Sequence, residues 1–423
     1  MLPGVLRHRW FAAFTASTGV VGLGGEFEHL ALPLLVLDLT HSVAAAATLR
    51  VVQFLPYVVW GPFAGAISDR LDRRKVMITC DIGQGACFII MALIVAGGAF
   101  ALWEIYGLAF LAEAFAATWA LVTDFSVVPS LVEEHELTQA NAVYLGTDRA
   151  VRAFGPALAG LAIATIGIPA ALVVTGVSFL ATVTVIFFMP ATYALEERPA
   201  RFTLRGFAAE VGEGFSYVLR HPILRALGLV MFVSNLGGPG LQTIVVYYLR
   251  EERGLDPGTI GLALSAMGVA AVVGAVGAPR FARGRPLGQT MVGTITFAAV
   301  ATAVASYTVD LRAVMAGIAG RSFAQAAHIV YAFLPRQREI PRRLRGRANG
   351  AFRQMILIGN SASPALLAAT VDRFGTAAAF ALASALLLVA AGITYLSPLR
   401  TYDIRPTEEE AVEAEGEAEA TAE

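Results

Sequence analysis

The sequence predicts an all-α polytopic membrane protein, with twelve transmembrane helices arranged as two pseudo-repeats of six. Three observations predict this class. Of the 423 residues, 57% are hydrophobic and only 15% are charged, whereas soluble proteins carry about a quarter charged residues. The apolar residues are gathered into runs of about 20, the length that a spanning helix needs. The short connections between these runs differ sharply in arginine content.

Twelve apolar runs are long enough to span a bilayer. Proline and glycine mark several of their ends, and an even number of spans places both termini on one side of the membrane. The predicted spans cover residues 11–37, 43–67, 76–99, 103–127, 140–164, 168–190, 223–249, 258–280, 287–307, 311–333, 348–370 and 375–397.

Basic residues are concentrated in the termini and in every second connection except 128–139, which carries Glu133, Glu134 and Glu136 instead. The other connections hold only Arg250, Arg253, Arg312 and Arg373. Because arginine and lysine accumulate in cytoplasmic loops, this asymmetry predicts that both termini lie in the cytoplasm. We therefore expect a multi-pass protein of the bacterial cell (inner) membrane.

The longest internal connection, residues 191–222, is charged and divides the spans six and six. It predicts an N-terminal six-helix bundle at 1–190, a cytoplasmic linker and a C-terminal bundle at 223–400. Residues 401–423 end in a run rich in glutamate and alanine without an apolar stripe. That composition is typical of a disordered acidic tail.

The two halves repeat at the level of motifs. Asn141 precedes Pro156 by the same spacing at which Asn349 precedes Pro364, and each proline is followed by alanine and leucine. Parallel repeats of six helices are typical of secondary transporters, whose substrate site lies between the halves.

A compact motif joins the second and third spans. Gly61 and Gly65 lie four residues apart, so both occupy one helix face and allow a neighbouring backbone to approach. Asp69 follows where the chain leaves the bilayer, and a basic cluster comes directly after it. This turn resembles the signature loop of the major facilitator superfamily, G-x-x-x-D-R-x-G-R-R. Asp72 stands where that family has glycine, and the matching residues are Gly65, Asp69, Arg70, Arg73 and Arg74.

Two further segments resemble the exporter branch of that superfamily, which includes the enterobactin exporter and macrolide-efflux-type proteins. They are residues 31–42 and the stretch from Pro129 to Gly160. Within the latter, Gly155 and Pro156 resemble the antiporter motif of the fifth helix but lack its doubled glycine. The resemblance implies twelve helices, no prosthetic group and export powered by the proton-motive force.

Charged residues inside the spans are the candidates for coupling and substrate binding, because a charge near the bilayer centre costs about 2.5–3.5 kcal/mol. Glu26 lies near the middle of the first span with His29 on the same face, and Glu28 points elsewhere. Glu113 lies near mid-depth in the fourth span. We predict Glu26 as the first choice for the proton carrier and Glu113 as the second.

Two arginines could instead neutralise these glutamates. Arg50 lies in the second span and Arg321 near mid-depth in the tenth. The competing interpretation is that each glutamate forms a permanent ion pair with one of them. Both arginines are therefore candidates for proton coupling, substrate binding or structural pairing.

A second group of residues is predicted to control the conformation. Asp69 and Arg73 are expected to hold the cytoplasmic ends of the second and third spans, with Asp124 as a partner for Arg70 or Arg73. In the fifth span, Asp148 and Arg152 have the favourable i, i+4 order of an ion pair. That pair is expected to be structural or to stabilise a closed gate.

Several functional classes are disfavoured. The sequence has no carboxylate pair, metal-ligand spacing or nucleotide-binding loop that would indicate an enzyme, a cofactor or a metal centre. The net charge of −1 offers no electrostatic attraction for nucleic acid. The predicted partners are therefore a small-molecule substrate, protons and the lipid bilayer, and the chain is expected to be a monomer.

The leading prediction is a proton-coupled secondary exporter of small amphipathic molecules, such as drugs, macrolides or siderophores, that works by alternating access. An importer of a sugar or an organic acid in the same fold is the first alternative, and a non-transporting membrane scaffold is the second. Sparse polar residues among alanine, valine and leucine favour an apolar cargo over a sugar. Two intramembrane glutamates disfavour a scaffold.

Overall fold

A computed structural model of the protein describes residues 4–59, 72–98, 100–123, 127–190, 204–283 and 285–403. These residues form helices and turns, with no strand among them. Eight of the described helices are long and apolar enough to cross a membrane by length and composition. The predicted fold class, an all-α polytopic membrane protein, is confirmed.

Six long helical segments lie among the described residues of the N-terminal half, besides the short helices Gly4–Arg7, Val127–Leu131 and Glu134–Glu136. The fifth and sixth belong to one continuous helix, Leu137–Phe188, which Gly167 divides. Gly167 has a φ of 79°, a conformation that glycine adopts without steric cost, so the two segments need no loop between them. The segments are α1 (Arg9–Thr40), α2 (Val43–Val59), α3 (Arg73–Gly97), α4 (Leu102–Thr123), α5 (137–166) and α6 (168–188).

The C-terminal half repeats this arrangement after an additional helix in the connection. That helix, α7 (Leu204–Arg220), packs on the start of α13, where Glu213 pairs with Arg347. The remaining helices are α8 (Pro222–Leu236), α9 (Pro239–Tyr247), α10 (Pro257–Phe281), α11 (Leu287–Tyr307), α12 (Leu311–Glu339), α13 (Arg345–Phe374) and α14 (Thr376–Leu396).

The seventh span differs from the prediction of one helix over 223–249. It breaks at Gly237 and Gly238, and a π-helical turn, Tyr248–Glu252, extends its second part. Two glycines weaken a helix interior by about 1 kcal/mol each, and Pro239 cannot donate the next backbone hydrogen bond. Proline is instead well suited to the first position of α9, so the chain restarts there.

The residue that departs from the superfamily signature begins a helix. The Asp72 carboxylate accepts hydrogen bonds from the backbone N–H groups of Arg74, at 2.9 Å, and Lys75, at 3.4 Å. It therefore satisfies two of the N–H groups that have no partner within the first turn of α3.

The apolar core is arranged differently at the two ends of the bundle. We call the end that holds Val5 and Leu399 the terminal end, and the opposite end, which holds the turns at His41 and Gly254, the far end. At the far end one core contains residues of both halves, including Leu34 and Leu241. At the terminal end the described residues form two cores, one in each half. The halves are therefore joined at the far end.

Two helix pairs make most of the contact between the halves, α5 with α10 and α2 with α13. At the first contact a Cβ on Gly160 would lie 2.9 Å from Cα of Gly261, and one on Gly261 would lie 2.3 Å from the carbonyl oxygen of Pro156. The backbones therefore meet without side chains between them. The backbone N–H of Ala157 also donates to Oγ of Ser265 on α10 at 2.8 Å.

Candidate functional site

A cavity of about 320 Å³ lies inside the N-terminal half, between helices α1 to α6. Its volume is near the lower limit of small-molecule sites. Most of the polar groups that line it are acidic or aromatic. The carboxyl side chains are those of Glu26, Glu28, Asp81, Glu113 and Asp148.

One hydrogen-bonded network joins α1 to α2 beside this cavity. Nε2 of Gln53 donates to Oε1 of Glu28 at 2.7 Å, and Nη1 of Arg50 donates to Oε1 of Gln53 at 3.1 Å. The same Nη1 lies 3.3 Å from Nδ1 of His29. Glu28 and Arg50 are only 7% and 9% exposed, so this charged network is held away from water.

The position of Glu28 differs from the sequence-based prediction, which pointed it away from the functional face. Glu26 and Glu28 do occupy different faces of α1, but both line the cavity. Neighbouring helices of the N-terminal half pack on both faces of α1, since Glu26 meets α5 and Glu28 meets α2.

Glu26 lies against a helix position that has no side chain. A Cβ on Gly155 of α5 would lie 2.5 Å from Cγ of Glu26 and 2.9 Å from its Cβ. Only glycine leaves room for the glutamate stem at this distance. Gly155 was predicted as a conformational residue and Glu26 as a proton carrier, and the structure brings the two together.

Two further carboxyl groups have hydroxyl donors across the cavity. The hydroxyl of Tyr57 on α2 donates to Oε2 of Glu113 at 2.9 Å. Oγ1 of Thr182 on α6 donates to Oδ2 of Asp81 at 2.7 Å, and Asp81 is 1% exposed. Each carboxyl group is thus oriented by a side chain from another helix.

Asp148 and Arg152 form the predicted pair on α5. Nε of Arg152 donates to both carboxylate oxygens of Asp148, at 3.1 and 3.0 Å. Both side chains line the cavity and are about half exposed. An exposed i, i+4 pair contributes only a few tenths of a kcal/mol, so the pair can open without a large energetic cost.

The balance of charge limits what this site can bind. Acidic side chains outnumber the two arginines, Arg50 and Arg152, that lie at or beside the cavity. Among the described residues no group of three or more histidine, cysteine, aspartate or glutamate side chains is arranged to hold a metal ion. The arrangement can therefore take up protons on its carboxyl groups or accept an organic cation.

Arg321 does not join this cluster. It lies on α12 in the C-terminal half, where its Nη2 donates to the backbone carbonyl of Gly237 at 2.8 Å. No glutamate pairs with it among the residues that the structure describes. The competing interpretation, in which Arg321 pairs with a membrane glutamate, therefore finds no such pair in the described part of the chain.

Part of the predicted conformational group lies outside the described residues, namely Gly65, Asp69, Arg70 and Asp124, together with the side chain of Arg73. Their roles stay predictions. Arg74 donates from Nη2 to the carbonyl oxygen of Phe187 at the end of α6 and lies over that ring. Pro156 contacts α10 through Gly261.

Asp81 was not among the residues predicted from the sequence. The signal was present, because Asp81 is a single acid inside the apolar run of the third span. The cost of an intramembrane charge, which selected Glu26 and Glu113, applies to it equally. Thr182 carries no such signal, since uncharged polar residues are common in spans.

A family model described as "Transmembrane secretion effector" matches residues 3–419. The chain is 28% identical over 404 residues to the multidrug efflux pump Tap of Mycolicibacterium fortuitum, covering 93% of this chain and 96% of that protein. It is 25% identical over 359 residues to the enterobactin exporter EntS of Escherichia coli, covering 82% and 81%. The match to the uncharacterized MFS-type transporter YfiS of Bacillus subtilis is 26% identical and spans 63% of each chain.

Solved transporter structures share the fold. A bacterial homologue of the iron transporter ferroportin in its inward-facing state superposes with a TM-score of 0.70 at 16% identity, covering 91% of this chain and 98% of that one. Its outward-facing state gives a TM-score of 0.57 at 18% identity, with the same coverage. Both likenesses show that the fold is shared.

Proposed function

Since the chain belongs to the transmembrane secretion effector family of the major facilitator superfamily and is a transporter, we propose that it is a proton-coupled exporter of small amphipathic molecules. Drugs, macrolides and siderophores are the classes we expect. The efflux pump and siderophore exporter among its relatives support the outward direction.

One observation carries the proton coupling, namely the excess of carboxyl groups around the cavity of the N-terminal half. Charges in a membrane interior are costly, and the protein retains several where a single ion pair would suffice for structure. A carboxyl group that gains and loses a proton in each cycle explains this excess.

The mechanism that we propose is an exchange. In the conformation closed at the far end, cargo enters between the halves from the terminal end, which we assign to the cytoplasm. Cargo and protons then stabilise opposite conformations. Each shifts the equilibrium between the two conformations only by the difference in its affinity for them. A proton on Glu26 or Glu113 removes a charge from the half-buried lining of the cavity, so protonation changes the free-energy difference between the two conformations.

Proteoliposomes with an acidic lumen test this function. The pH-sensitive dye pyranine in the lumen reports protons that leave when cargo enters. Erythromycin, norfloxacin and enterobactin represent the expected classes, and glucose and lactate represent the importer alternative. We expect at least one of the first three to make the lumen more alkaline, and the last two to have no effect.

Two variants then test the carboxyl groups. Glu26→Gln and Glu113→Gln should each lower gradient-driven exchange by at least tenfold and still bind cargo, without pH dependence. Glu104→Gln is the matched control, because Glu104 caps the start of α4 by accepting from the N–H of Ala101. If both cavity variants retain wild-type exchange, the proton assignment is wrong. A response to glucose or lactate alone would favour the importer.

A further inference from the structure

The break in the seventh span is a second polar centre, located in the C-terminal half. Gly237 and Gly238 lie near the middle of the membrane-spanning stretch Pro222–Glu252. A helix that breaks leaves carbonyl groups at the end of one segment and N–H groups at the start of the next without intrahelical partners. Inside a bilayer such groups need other partners.

Two side chains provide hydrogen-bond partners for backbone groups at the break. Nη2 of Arg321 on α12 donates to the carbonyl oxygen of Gly237 at 2.8 Å, and Oγ of Ser363 on α13 accepts from the N–H of Gly240 at 3.0 Å. A cation at a helix C-terminus is favourable. The hydrogen bond to Gly237 engages Nη2 of the guanidinium group.

Three further polar atoms in this region lack hydrogen-bond partners among the described residues. Nε of Arg321 makes no hydrogen bond within the described part of the chain, and the same holds for Oγ of Ser234 on α8 and Oδ1 of Asn360 on α13. Arg321 is 8% exposed and has no carboxylate within ion-pair distance among those residues. An unpaired buried charge is far more costly than a neutral group, so a structural role alone does not explain Arg321.

The charges at the break define its ligand. A guanidinium group stays protonated and offers N–H donors along a planar edge that matches a carboxylate. The N-terminus of α9, which carries a partial positive charge, faces the same break. Asn235 and Gly238 are only half-buried, so the break is accessible from outside the packed core. The guanidinium group and the helix N-terminus both favour an anion.

We propose that the break in the seventh span binds a carboxylate group of the exported molecule, with Arg321 as the recognising residue. The inference rests on the proposed function, since it assigns a chemical class to the cargo. The best substrates are then amphipathic molecules with a carboxylate. Molecules that also carry an ammonium group have a complementary acidic partner in the cavity of the N-terminal half.

Equilibrium binding to the purified full chain in nanodiscs tests this site without any gradient. The probes are two matched pairs: norfloxacin with its methyl ester, and 4-phenylbutyrate with 4-phenylbutyramide. Each pair keeps the aromatic body and differs in the anionic group. Ligand-induced thermal stabilisation reports the affinity. We expect the acid of at least one pair to bind at least tenfold more tightly than its uncharged partner.

Variants of two arginines on α12 complete the test. Arg321→Gln should reduce the preference for the acid to below twofold, whereas Arg336→Gln should preserve it, because Arg336 is bonded to Asn349 near the terminal end. Arg321→Lys keeps the charge at the end of α8 and loses the planar edge. It should keep the thermal stability and lose most of the preference.

Three results would overturn the assignment: no preference for either acid in the wild type, no binding of any probe, or full preference in both Arg321 variants. Failure of proton-driven exchange in vesicles does not affect these measurements, because no gradient is present. If exchange is observed in vesicles but no acid is preferred in the binding assay, only the proposed carboxylate site is contradicted.

Discussion

In the N-terminal half, the carboxyl groups of Glu28, Asp81 and Glu113 each accept a hydrogen bond from a side chain on another helix. In the C-terminal half, the buried charge is Arg321, and polar atoms around it lack partners within the described residues. The two halves repeat the same helices. The comparison indicates that the repeat preserved the scaffold while the chemistry of the two interiors diverged.

This difference suggests a division of roles between the halves. A network whose hydrogen bonds are satisfied within the protein suits a proton, which changes charge without needing space. Groups left without partners suit a larger ligand that brings its own acceptors and donors. The proton would then be handled mainly by the N-terminal half and the anionic part of the cargo by the C-terminal half.

The largest effect is expected when a residue of one repeat is replaced by the equivalent residue of the other. Gly155 precedes Pro156 as Ser363 precedes Pro364. In Gly155→Ser the new Cβ would lie 2.5 Å from Cγ of Glu26, and the flexible glutamate side chain must move. We expect gradient-driven exchange to fall at least tenfold in proteoliposomes, with the fold retained.

Gly146→Ser is its control, because a Cβ on Gly146 of the same helix meets nothing within 4 Å. The control should keep wild-type exchange. Wild-type exchange in Gly155→Ser would show that the position of the Glu26 side chain is unimportant.

A substitution at the equivalent position in the C-terminal half should mainly lower the thermal stability. Ser363→Ala removes the acceptor of the Gly240 N–H, and Ser363 is fully buried. An unsatisfied buried donor costs about 1–3 kcal/mol, so the midpoint of thermal unfolding should decrease. We expect exchange to fall less than in Gly155→Ser.

Ser361→Ala provides the comparison, since Ser361 donates only to a carbonyl of its own helix, that of Leu357. Equal midpoints for the two alanine variants would mean that Ser363 does not stabilise the broken span.

The smallest effect on exchange is expected from a solvent-exposed ion pair between the halves. At the far end Arg250 of the C-terminal half lies 2.8 Å from the carboxylate of Asp38, with side chains 29% and 38% exposed. Exposed pairs contribute about 0–1 kcal/mol. Arg250→Gln should therefore change the exchange rate less than about fivefold, and the difference from wild type should shrink as salt is added. A loss of tenfold or more, independent of salt, would contradict this view of the contact.

The sequence was sufficient for the fold because spans leave a strong signal. Long apolar runs and the asymmetry of arginine depend on the bilayer, which imposes the same constraints on every chain. The error in the seventh span arose because Gly237, Gly238 and Pro239 lie inside a run whose hydropathy alone predicts one helix. A Gly-Gly-Pro-Gly sequence in the middle of a span is, in physical terms, a signal for a break.

The candidate site was predicted only where it carries charge. The high cost of intramembrane charge selected Glu26, Glu113, Arg50 and Arg321. It could not show that Gly155 packs on Glu26, because that contact joins two helices more than 100 residues apart in the chain. The cost of charge also could not show that Arg321 lies apart from the glutamates, since helix packing decides which charges meet.

The backbone contact between α5 and α10 has a consequence for the entropy of the transport cycle. Glycine and alanine lose no rotamer freedom when they are buried, whereas a long side chain loses up to about 2 kcal/mol. Gly160 meets Gly261, and Gly268 lies against Ala153, so this part of the interface can separate and re-form without freezing any rotamers. In the exchange that we propose, this part of the interface therefore adds little entropic cost to the change of conformation.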